Sequence, residues 1–136
     1  MIQKLSHTSI YVLDQESAKR FYTEKLGLEV RQDLTMGSFR WLTVGPKGQP
    51  DIQMVLMPAS PGPMMDQQAA ATLRGLIEKG VFGCGIFETA DCQATYDELT
   101  KKGVKFRGPP AQRPYGVEAV LQDDSGNWFS LVERPR

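Results

Sequence analysis

The sequence predicts an α+β fold in which one unit, β-α-β-β-β, is used twice to make a curved eight-stranded mixed sheet. Three observations predict it: a near-repeat, a capped helical stripe ending at glycine in each copy, and three alternating segments after each of those glycines. The first copy begins LSHTSIYVLD at 5–14 and the second FGCGIFETAD at 82–91, so His7 falls on Cys84, Ile10 on Phe87 and Asp14 on Asp91, each 77 positions later. After the aspartates, Ala18, Phe21, Tyr22 and Leu26 recur at helical spacing in one copy, and Cys92, Tyr96 and Leu99 in the other. A short carboxylate accepts the unpaired amides of a first helical turn, so Asp14 and Asp91 are the N-caps. Gly27 and Gly103 end the helices, where a left-handed residue without a Cβ is favoured.

The strands that follow are 28–34, 39–45 and 50–57 in the first copy, with GPKG as the turn between the last two. In the second copy they are 104–108, 116–123 and 127–133, with DDSG at the corresponding turn. The modules then span 1–58 and 81–136 within one domain. Between them, 59–80 opens with a Pro/Gly-rich linker and continues as an extra helix over 66–79, with Ala70, Leu73 and Ile77 on one stripe and Gly80 as the stop.

Composition narrows the function. At 136 residues the chain is long enough to bury a real core without staples. Basic and acidic residues number 16 each, which removes the cationic excess that a phosphate backbone selects, so nucleic acid is not expected as a partner. The N-terminal MIQKLSHT carries no signal-peptide pattern, and no apolar run reaches the roughly 18 residues a membrane helix needs. A cytoplasmic protein with no membrane contact is the expectation. Cys84 and Cys92 are the only cysteines and lack CxxC spacing, so they read as free thiols.

The period of two along a strand separates two faces. Leu42, Val44, Ile52, Met54, Leu56, Val117, Ala119, Leu121, Phe129 and Leu131 form the apolar set and should pack under the helices. His7, Trp41, Thr43, Gln53, Cys84, Glu118, Trp128 and Ser130 then face the other way, with Phe39 and Tyr115 at its margin. Aromatic rings mixed with a few polar groups are the usual lining of a small-molecule pocket. His7, the only histidine, should look into that pocket, and Glu118 is a carboxylate that an aromatic-lined cup would hold only with a partner or a purpose. Arg40, Arg107 and Arg113 are its candidate partners.

Three stretches carry a family resemblance: HTSIYVLDQESAKRFYTEKLGLEV, GCGIFETADCQATYDELTKKGVKF and RPYGVEAVLQDDSGNWFSLVE. With the paired modules they cover nearly the whole chain, which resembles the vicinal oxygen chelate superfamily of glyoxalases, extradiol dioxygenases and bleomycin-resistance proteins. The resemblance implies a cup completed by dimerisation, hence a homodimer. It also implies metal ligands on the first and last strands of each module, at places held here by His7, Gln53, Cys84 and Ser130. Zn, Ni, Mn and Fe need imidazole, carboxylate or thiolate donors, so this set, in which His7, Gln53 and Cys84 are the usable members, is a degenerate metal site. Two functions from different classes follow. One is a cofactor-free protein that binds a natural-product-like or drug-like small molecule through Phe39, Trp41, Gln53, Tyr115, Trp128 and Ser130. The other is a lyase of the glyoxalase type, with a divalent metal polarising vicinal oxygens and Glu118 or His7 moving the proton.

Overall fold

The structure, a computed structural model, describes residues 1–135. The first strand, β1 (His7–Val12), runs into Asp14, whose carboxylate accepts the Ser17 amide at 2.8 Å and starts α1 (Gln15–Arg20). The helix widens into one π-helical turn (Phe21–Lys25), and Ala18, Phe21 and Tyr22 are buried along it. Three antiparallel-linked strands follow: β2 (Glu29–Met36), β3 (Phe39–Gly45) and β4 (Gln53–Pro58). Their spatial order is β1-β4-β3-β2, with β1 parallel to β4, and α1 lies against β3 and β4. Ile10, Val12, Leu42, Val44, Met54 and Leu56 make the core beneath it.

Two polar devices hold this sheet. The register between β2 and β3 shifts at Arg31, which stands between the paired Val30 and Gln32. Its guanidinium donates to the carbonyls of Pro46, Gln49, Pro50 and Ile52, closing the turn before β4. On the helix side, Arg40 reaches both oxygens of Asp33 at 2.8 Å and Glu16 at 2.9 Å, and Lys19 joins Asp33 at 2.9 Å. These bonds tie α1 to β2 and β3.

By its contacts the chain divides into two units, Met1–Gly75 and Leu76–Arg136. The division falls inside α2 (Gln67–Glu78), whose first turn is capped by Asp66 accepting from Ala69 at 2.8 Å. The second unit holds β5 (Gly83–Glu88), α3 (Cys92–Lys101), β6 (Lys105–Phe106), β7 (Ala111–Arg113), β8 (Gly116–Gln122) and β9 (Trp128–Glu133). Asp91 caps α3 through Ala94, and Glu133 accepts the Cys92 amide at 2.9 Å. The order is β5-β9-β8-β6, with β7 also on β8, and α3 covers β8 and β9. The strand expected over 104–108 is therefore shorter and is followed by a second piece. Pro109 and Pro110 have no amide to donate and interrupt the pairing until Ala111, giving a five-stranded sheet here and nine strands among the described residues.

The DDSGN turn is tightly built. Asp123 Oδ1 accepts from the amides of Ser125, Gly126 and Asn127 at 2.9 Å each, and Oδ2 accepts from the Asn127 side chain at 3.0 Å. Gly126 has φ +122°, and a Cβ there would lie 2.3 Å from the Ile77 carbonyl oxygen, so this turn and α2 require glycine.

The Asp33 cluster has a pH signature. Hydrogen bonds from Arg40, then from Lys19, hold its carboxyl well below the usual carboxylate range. A depressed native pKa stabilises the fold fully above the unfolded value of about 4, and that contribution declines as pH falls toward the native value. Asp33→Asn is expected to lower stability by about 1–2 kcal/mol at pH 7, the side chain being about a quarter exposed. Urea denaturation checks it: the difference from wild type should shrink between pH 7 and pH 3.

Candidate functional site

The pleat places His7, Gln53, Thr43 and Trp41 on the face of the first sheet opposite α1. His7 and Gln53 are register partners across β1 and β4, and Thr43 pairs with Val55 across β3 and β4. Thr43 and Val55 are buried in the floor, Trp41 and Gln53 are half-buried, and His7 is exposed at the rim. The Thr43 hydroxyl donates to Gln53 Oε1 at 2.7 Å, and the Trp41 indole donates to Gln32 at 2.8 Å. The His7 ring stands 6.0 Å from the Trp41 ring, tilted by 47°, and its Nδ1 is 2.8 Å from the Ser6 hydroxyl.

A cleft of about 310 Å³ opens farther along the same sheet. Phe39 lines it, together with Tyr11, Met57, Pro58 and residues 60–65, whereas His7, Trp41 and Gln53 do not. His7 therefore does not look into this cleft. It begins β1 while Tyr11 lies four residues on, about 13 Å away at strand spacing. Tyr11 and Met57, themselves register partners, share strand parity with His7 and Gln53, the signal by which they were readable from sequence. The linker residues Met64 and Met65 carried no such signal.

In the second unit Glu118, Tyr115 and Ser130 come together. Tyr115 donates to Glu118 at 2.6 Å, Ser130 adds a second hydroxyl donor, and Arg113 approaches to 3.7 Å. The Tyr115 bond first, then Ser130, lowers the Glu118 pKa, while burial opposes them. The site keeps this group as a carboxylate, which makes it a good acceptor and a weak general base near neutral pH. Of the three candidate arginines, Arg113 is the partner. Arg40 is taken by Asp33 and Glu16, and Arg107 lies 5.1 Å over the Trp128 ring while donating to the Gly80 carbonyl. Gly83 also lies against that ring, and a Cβ there would come within 2.4 Å of it.

The 77-residue spacing does not survive to the last strand. Gly83 pairs with Trp128 and Gly85 with Phe129, so Cys84 occupies a bulge, and Ser130 pairs with Ile86. The counterpart of Gln53 is thus Trp128, 75 positions later, because two fewer residues separate the helix cap from the last strand in the second module. Placing Ser130 opposite Cys84 is corrected accordingly. Burial first, and the Asp123 charge second, push the Cys84 thiol up to about 11.

A family model described as the Glyoxalase/Bleomycin resistance protein/Dioxygenase superfamily matches residues 4–131. The chain belongs to this superfamily. Among solved structures similar to it, UcmS2 is 54% identical with a TM-score of 0.93, covering 98% of this chain and 99% of that one. TnmS3, described as an antibiotic binding protein from Streptomyces sp. CB03234, is 30% identical with a TM-score of 0.77 and 98% coverage of both chains. The uncharacterized protein YurT of Bacillus subtilis (strain 168) is 36% identical over 132 residues, 96% of this chain and 99% of its own.

The superfamily often holds divalent metals, but the donors here do not fit one. His7 is a lone imidazole on its sheet, Gln53 Oε1 already accepts from Thr43, and Cys84 resists ionisation. No group of three or more His, Cys, Asp or Glu side chains is placed to share an ion among the described residues. No helix among them is long and apolar enough to cross a membrane.

Thiol reactivity tests the second-unit geometry. Between pH 7 and 9 iodoacetamide should alkylate Cys84 roughly 100-fold more slowly than a thiol of ordinary pKa, with the rate still rising at pH 10. An inflection near pH 8.5 would show an ordinary thiol instead, with no suppression of its ionisation by burial.

Proposed function

We propose that this protein binds and sequesters a small, largely uncharged aromatic molecule, natural-product-like or drug-like, on the open face of its first sheet, with no metal ion in the contact. The observation that carries the reading is the pairing of Trp41 with His7 above a floor in which Thr43 locks the Gln53 amide. That arrangement offers a ring wall and fixed polar edges, the chemistry of planar recognition. The description of TnmS3 as antibiotic binding supports it at 30% identity over nearly the full length. Balanced charge argues for a neutral ligand over a strongly cationic one. In the second unit, Glu118 with Tyr115 and Ser130 is a pre-set hydrogen-bonding group suited to holding the polar edge of a small molecule on that sheet by itself. The two free thiols suit the cytoplasm, a reducing compartment.

We also infer a homodimer. Leu34 and Met36 on the edge strand β2 are 53% and 57% exposed, a sheet border that water covers poorly. Sedimentation velocity should show a dimer for the wild type and dissociation on Leu34→Asp; a wild-type monomer at micromolar concentration would remove the inference.

Binding is tested by calorimetric titration with a panel of polycyclic aromatic antibiotics, with bleomycin as the cationic comparison. Trp41→Ala should weaken a binding member of the panel by about 0.5–1.5 kcal/mol, which is about two- to tenfold. EDTA should leave the affinity unchanged. Loss of binding on EDTA, restored by Ni, Zn, Mn or Fe, would favour the metal-dependent lyase instead.

A further inference from the structure

The linker that begins at Pro58 is more than a connection. Ala59 is buried, its amide donates to the Val12 carbonyl at 3.0 Å, and its own carbonyl accepts from Arg74 at 3.2 Å. Beyond it Gly62 donates to the Met65 carbonyl at 2.9 Å, forming an isolated bridge. Pro61 and Pro63 flank that bridge and restrict the backbone further. The segment is therefore a pinned wall of the cleft.

Its chemistry is specific. Tyr11 and Phe39 supply rings, and Met57, Met64 and Met65 supply three thioethers from two separate parts of the chain. Thioethers are polarisable, and they favour contact with aromatic groups of varied shape. Charge is cancelled: Arg40, the ionic side chain at the cleft, is committed to Asp33 and Glu16. A cleft of this volume lies at the small end of ligand pockets and suits one fused-ring group. Met64, on its border, is 78% exposed, an apolar side chain in water that a bound ring would cover.

We propose that this methionine-lined cleft is a second binding position that takes an uncharged aromatic group, either of a separate small molecule or of a ligand long enough to reach it from Trp41. The proposal rests on the binding reading for the class of molecule and adds a second position with its own lining. It stands on different residues, so the two can fail separately.

The probe is the neutral fluorophore N-phenyl-1-naphthylamine, titrated into protein carrying 13C-methyl methionine. The chain has six methionines, and three of them line the cleft. The expected result is saturable fluorescence with shifts at Met57, Met64 and Met65, while Met1 and the core residue Met54 stay in place. Met65→Gln should weaken the probe about tenfold, as loss of a methionine's apolar contact implies, and Trp41→Ala should change it less than twofold. Met64→Glu, at an exposed position that the fold tolerates, should weaken it in the same direction. Absence of saturable binding, or shifts that spare the three cleft methionines, would overturn the proposal. If probe binding fails while Trp41→Ala still weakens the antibiotic panel, the cleft is rejected and the open-face site stands. If the probe binds as expected and Trp41→Ala leaves the panel unaffected, the cleft stands and the open-face site is rejected.

Discussion

Each sheet has one helix and two faces, and the site follows from that mismatch. In the first unit α1 lies on β3 and β4 and buries Leu42, Val44, Met54 and Leu56 beneath it. Side chains alternate along a strand, so Trp41, Thr43, Gln53 and Val55 are forced onto the opposite face together. A one-residue slip would exchange the two sets. The Arg31 guanidinium, bonded to four carbonyls around the turn before β4, opposes such a slip by fixing where β4 begins. The second unit repeats the rule with α3 over Ala119, Leu121, Phe129 and Leu131, leaving Glu118, Trp128 and Ser130 on the other side.

Charge is handled differently on the two faces. The Lys19, Arg40, Asp33 and Glu16 cluster sits on the helix side and clamps α1 to the strands beneath it. On the other face of the second unit Glu118 is met by two hydroxyl donors and an arginine at longer range, which keep it anionic. A carboxylate so stabilised holds a hydrogen bond well and removes a proton poorly. On the first sheet, Gln53 has its carbonyl satisfied by Thr43. Both polar groups are thus fixed by partners on their own sheet.

How far the site could be read depended on which rule each residue obeyed. Strand parity correctly grouped His7 with Gln53 and Glu118 with Ser130, because parity is local and tolerates loops of any length. The numerical repeat was less robust. It carried His7 to Cys84 and Asp14 to Asp91, but the stretch from helix cap to last strand is two residues shorter in the second module. Where β5 meets β9 the register also shifts between Gly83 and Gly85, around Cys84. Tyr11 and Met57 obeyed parity and were legible in principle, whereas Met64 and Met65 reach the cleft only through the fold of an irregular segment.

The sequence by itself determined the two modules, their helix caps at Asp14 and Asp91, the stops at Gly27 and Gly103, and the division of each strand into an apolar and a mixed face. Those properties rest on interactions within a few residues of the chain, or on periodicity along it. Only the tertiary structure decided which arginine meets Glu118, that Gln53 is locked by Thr43, that Trp128 and not Ser130 stands where Gln53 does, and that a proline-rich linker walls a cleft. Each of these depends on register or on the path of a loop, and both are set by contacts between segments far apart in sequence.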